Sequence, residues 1–173
     1  MNDILRYTVI GIAALIIQLL ICEFVNIWPP LYIAVFPLFI MMLPADFKPG
    51  FLMLTAFIAG LLIDALSDGL LGLNATSLTA VAFFKRPLMK SIARYEAGGG
   101  AGARDVNSKH LGFQKFFTFL LLSYSIFFVC YVILDDLGSG SATFLIIRLL
   151  INIIANLLIA IILEKLFFQR LMQ

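Results

Sequence analysis

The sequence predicts an all-α integral membrane protein with six transmembrane helices and both termini on the cytoplasmic side. Three observations carry that reading. Of 173 residues, 62% are hydrophobic and only 13% charged, against roughly 25% charged in an average soluble domain. The apolar residues gather into six runs. The basic residues collect on one side of those runs, and that bias sets orientation in membrane proteins.

The runs cover 5–27, 31–43, 51–66, 70–84, 113–134 and 142–168 within a single membrane domain, 1–173. A spanning helix takes roughly 17–25 residues, so the first, fifth and sixth suffice by length. The first run ends at Trp28-Pro29-Pro30 with no small-residue cleavage site, and reads as a retained helix. The second is short. As a helix rising about 1.5 Å per residue, 31–43 covers only ~20 Å. Pro37 lies inside it, so a kink or an extension through Pro29-Pro30 is expected. The third and fourth are joined by the tight turn Ser67-Asp68-Gly69.

With the runs placed alternately from inside, 11 of the 12 basic residues fall on the inner side: Arg6, Lys48, Lys85, Arg86, Lys90, Arg94, Arg104, Lys109, Lys115, Lys165 and Arg170. The outer segments carry Glu23, Asp68, Asp135 and Asp136, and no base. The remaining base, Arg148, lies within the sixth run.

The inner 85–113 loop opens on Arg86–Glu96, where Leu88, Met89, Ile92 and Tyr95 recur at helical spacing. This predicts an interfacial amphipathic helix whose basic residues, Lys85, Arg86, Lys90 and Arg94, meet anionic headgroups. The glycine-rich 98–102 stretch reads as a linker. It lacks the preceding strand and following helix of a phosphate cradle, so neither nucleotide nor nucleic acid is an expected partner. His110 stands without a ligand cluster and reads as a solvated loop residue. Cys22 and Cys130 are the only cysteines. Both fall near outer helix ends and read as inert buried thiols sooner than as a disulfide. Trp28, Tyr32 and Tyr131 suit an outer aromatic belt.

Polar groups inside a membrane are costly and face the bundle interior. Asp64 and Arg148 both fall in its outer half, so they are expected to pair or to share a polar network, Asp64, Arg148, Asn152 and Asn156. The plainer alternative is that Arg148 snorkels and Asp64 meets interfacial water. Asp64 and Asp68 lie one turn apart and have the spacing to hold a divalent ion, but a second acidic cluster is missing. No catalytic residue, metal or cofactor is expected. The small and polar residues of 69–82 read as helix-packing glue. The large side chains of the first and fifth runs point to lipid or a partner helix.

The stretch Gly60-Leu61-Leu62-Ile63-Asp64-Ala65-Leu66-Ser67-Asp68-Gly69-Leu70-Leu71-Gly72-Leu73-Asn74 resembles the hallmark of the rod shape-determining protein MreD family. The match falls on Gly60, Asp64, Ser67, Gly72 and Asn74. Asp68 departs from the family's usual glycine, the 85–113 loop is longer than in many members, and no base precedes the second run. The resemblance implies a non-enzymatic scaffold of the bacterial inner membrane. It implies direct binding to MreC, with MreB, RodA and a class B penicillin-binding protein in the wider peptidoglycan-synthesis complex. It also implies a fold like the substrate-binding subunits of energy-coupling-factor transporters. Two other readings stand beside it. One is a vitamin-type binding subunit of a transporter, although the A-x-x-x-A docking pattern is absent from Gly11–Gln18. The other is a membrane lipid transferase.

Overall fold

A computed structural model describes residues 3–24, 31–44, 47–67, 70–93, 111–136 and 141–168. Arg94, the 98–102 glycines, His110 and Trp28 lie outside the described residues. Six α-helices occur among those described, and no strand: α1 (Asp3–Phe24), α2 (Phe36–Met42), α3 (Pro49–Leu66), α4 (Leu73–Ala93), α5 (Phe113–Asp135) and α6 (Ala142–Leu163). A π-helical turn, Glu164–Phe168, continues α6. Four helical segments are long and apolar enough to cross a membrane: Leu5–Phe24, Pro49–Leu66, Phe113–Asp135 and Ala142–Leu166. The chain is therefore a multi-pass helical membrane protein.

Each helix starts where the chemistry allows. Pro49 opens α3 and Pro37 falls in the first turn of α2, where a missing N–H costs nothing. Ser141 caps α6, its side chain accepting from the Phe144 N–H. The closest helix pair is α3 against α4, followed by α4 against α5 and α5 against α6; α1 packs on α2 and α3.

Three expectations are corrected. The second run is not one helix. Residues 31–35 are non-helical, and α2 is only 7 residues long. The separate amphipathic helix expected from Arg86 is instead the end of α4, which continues through Pro87 to Ala93. Pro87 removes one helical hydrogen bond, but Lys85 and Met89 on either side of it are buried, and packing holds the helix together there. Most of the aromatic residues of α5 face the core and not lipid, Phe113 being exposed. Phe116, Phe119, Phe127 and Phe128 are all buried, alongside α2 residues such as Leu38 and Met41. The outward face of α1, with Leu5, Val9, Ile12, Ile16 and Leu20 exposed, agrees with expectation.

Candidate functional site

Five of the buried polar residues, Gln18, Asp64, Asn74, Asn152 and Asn156, converge on two neighbouring features: the α3–α4 turn and the non-helical segment 31–35.

At the turn, α3 and α4 approach closely because position 60 has no side chain. A Cβ on Gly60 would lie 2.4 Å from Ala75 Cα and 2.5 Å from Ala75 N. That approach brings the Asp64 carboxylate over the start of α4. The Gly72 and Ala75 N–H groups donate to Oδ2 at 2.9 and 3.1 Å, and the Asn74 N–H and Nδ2 donate to Oδ1 at 2.9 Å each. The first amides of a helix have no intrahelical acceptor and carry partial positive charge. Asp64 caps α4 from the helix before it. Gly72 has φ 101°, a conformation that glycine reaches without strain. Ser67 Oγ donates to Ile63 O at 2.6 Å and closes the end of α3. Gly60, Asp64, Ser67, Gly72 and Asn74 thus belong to one hairpin.

At the second feature, backbone without helical bonds lies inside the bundle. Such backbone is tolerated at membrane depth only where protein groups replace water. Here side chains replace it. From α6, Asn152 Oδ1 accepts from Tyr32 N, Asn156 Oδ1 accepts from Ala34 N, and Asn156 Nδ2 donates to Tyr32 O, each at 2.7 Å. From α1, Gln18 Nε2 donates to Ile33 O at 2.9 Å, while its Oε1 accepts from Val35 N and Phe36 N at 2.6 and 3.1 Å. From α5, Tyr124 Oη donates to Ala34 O at 3.1 Å. The bonds of residue 32 turn to α6, the carbonyl of 33 turns to α1, and the amide of 34 turns back to α6. That alternation is the habit of a strand. Two strand residues advance about 6.6 Å and one i, i+4 helical step about 6.0 Å, so two asparagines one turn apart can stand in for a neighbouring strand.

Tyr32 joins the two features. Its Oη donates to Asn74 Oδ1 at 2.8 Å, and Asn74 in turn donates to Asp64. The ring stacks on Tyr131 with centroids 4.5 Å apart. Asp64, Asn74, Tyr32, Asn152 and Asn156 form one continuous chain of hydrogen bonds.

The expected Asp64–Arg148 pair does not form. Arg148 Nη2 donates to Asp135 Oδ2 in an ion pair that is largely withdrawn from solvent. The α5–α6 hairpin makes Asp135 the nearer carboxylate, and Asp64 is already satisfied by four donors. Arg148 meets the network through its backbone carbonyl, which accepts from Asn152 Nδ2 at 2.8 Å. Lys85 is also corrected. It is 2% exposed and does not reach headgroups. Its ammonium donates to Ile40 O at 2.9 Å and Leu43 O at 2.5 Å, so a cation caps the C-terminal carbonyls of α2. Arg86 and Lys90 are exposed, and Arg86 Nη2 donates to Phe47 O at 3.1 Å.

Sequence reasoning passed over Gln18 and Tyr124, and it placed Tyr32 in the interfacial belt. Gln18 had a signal: it is the one amide in the interior of the long apolar first run, the other, Asn26, falling at its end. Cys22 and Cys130 are both free. No group of three or more metal-binding side chains gathers among the described residues.

No protein-family model matches the chain, and neither a curated protein nor a solved structure matches it.

Proposed function

We propose that this protein is a non-catalytic scaffold of the bacterial cell-elongation machinery, a member of the MreD family that docks MreC in the inner membrane. It crosses the membrane six times with both termini inside. The supporting observation is the use made of the motif. Gly60 admits Ala75, Gly72 makes the turn, and the Asp64 carboxylate is consumed by four hydrogen bonds. Residues spent this way shape a surface; a reacting carboxylate would keep a lone pair for substrate. The six-span count is supported by length. Taken as extended over 31–35 and helical over 36–42, the second segment covers about 27 Å, close to the ~30 Å hydrocarbon core, and α4 has 21 residues.

The test is co-purification with MreC in mild detergent, alongside cell width on depletion. Retention of MreC and loss of rod shape are expected. Asp64→Ala and Asn74→Ala should each weaken retention and widen cells. If both leave the two readouts unchanged, the scaffold reading fails.

A further inference from the structure

Two cavities meet at the basic end of the bundle. One, of about 190 Å³, is walled by Lys85, Arg86 and Lys90 together with Pro44, Phe47, Leu52 and Met89. Among the described residues its lining holds the bases Lys85, Arg86 and Lys90 and no carboxylate, so the exposed Arg86 and Lys90 are placed to attract an anion. The other, of about 260 Å³, lies among α1, α2 and α3 and is lined almost wholly by apolar side chains. Phe47 and Leu52 belong to both walls. The apolar cavity runs from Tyr7 to Leu15 on α1 and from Phe51 to Ala59 on α3, about 12 Å along each helix at 1.5 Å per residue. It begins at the ends of these helices nearest the cations and leads inward. Gly11 keeps it shaped: a Cβ there would lie 2.8 Å from the Phe39 ring.

A cavity whose charged walls, among the described residues, are all basic, opening beside an apolar slot of this depth, has the form of a lipid with an anionic head. We propose that this protein holds one anionic glycerophospholipid of the inner leaflet. The phosphate sits against Arg86 and Lys90, and one acyl chain enters the slot between α1 and α3. Lys85 spends two of its three hydrogens on the carbonyls that end α2 and contributes its charge from the wall. The site is independent of the elongation reading and would exist in a protein of this fold with any partner.

The experiment is native mass spectrometry of the full chain in neutral detergent, offered equal amounts of phosphatidylglycerol and phosphatidylcholine with identical chains. The phosphatidylglycerol adduct should dominate. Arg86→Gln with Lys90→Gln changes two exposed residues and should cut that preference by roughly thirtyfold, the effect of two surface cations. Ala59→Phe should fill the slot and reduce retention of both lipids; Thr55→Leu, a milder filling, should do so partially, with helicity by circular dichroism as the folding control. Equal retention of the two lipids by the unaltered chain overturns the proposal, as does an undiminished preference in the double variant. Displacement of phosphatidylglycerol by millimolar inorganic phosphate would mean an anion site alone, and overturns the lipid assignment. Undiminished retention in both filled variants removes the acyl-chain half and overturns it equally.

Discussion

Asp64 shows how one side chain can hold a turn that its own helix does not contain. Four donors from three residues, Gly72, Asn74 and Ala75, end on its two oxygens. Replacing it with alanine leaves buried donors without an acceptor, each costing about 1–3 kcal/mol. Partial relaxation should bring the net loss to about 3 kcal/mol, measured as reduced resistance to unfolding in detergent. Asp64→Asn keeps one acceptor oxygen and should lose less. Gly60→Ala acts on the same turn by a different route. The added methyl meets backbone, which cannot swing aside, so α3 and α4 must separate at a cost of about 1–3 kcal/mol. Arg148 and Asp135 offer a third test at this scale. Exchanging the two charges should restore most of the stability lost by either single reversal. Pairing Arg148→Asp with Asp64→Arg should restore none, because those residues do not meet.

The elements divide into those that support themselves and one that does not. Helices α1, α3, α5 and α6 satisfy their own backbone and present apolar surface outward. The segment from residue 31 through α2 satisfies little of its own. Its amides and carbonyls end on Gln18, Tyr124, Asn152 and Asn156, and its helical end rests on Lys85. Asn152→Ala or Asn156→Ala should each destabilise the protein by about 1–3 kcal/mol. The same change at Leu150, which is exposed on the same helix, should leave it within about 0.5 kcal/mol. Lys85→Met keeps most of the buried stem but removes the cap. Faster hydrogen exchange at the end of α2 than in α5 is the expected sign.

Across the whole molecule, the sequence made the broad outline legible and hid the interior. Apolar runs located α1, α3, α5 and α6 to within a few residues, because a long helix in lipid must be apolar along its length. The second run misled, because hydrophobicity does not distinguish a helix from backbone that is fed by distant side chains. The asparagines of α6 were legible as a stripe, since Asn152 and Asn156 share a helix face. Their partners were not, because Tyr32 lies 120 positions or more away and nothing local marks it. Lys85 was misplaced for a related reason: charge implies water unless carbonyls at a helix end can replace it. The orientation proposed for the bundle has its own test. A cysteine at the exposed position Lys90 should resist impermeant thiol reagents in intact cells and react once the membrane is opened.

The borrowed hydrogen bonds of residues 31–35 also set an order of events during synthesis. When this segment is synthesised, the asparagines that will receive it are more than a hundred residues from being made. Until then its amides must stay in water, in the interface or in the shelter of the insertion machinery. The segment is seated only as α6 arrives, so the C-terminal helix acts as the latch for an N-terminal one. A nascent chain halted after Asp135 should therefore expose residues 31–35 to proteases that the finished protein excludes.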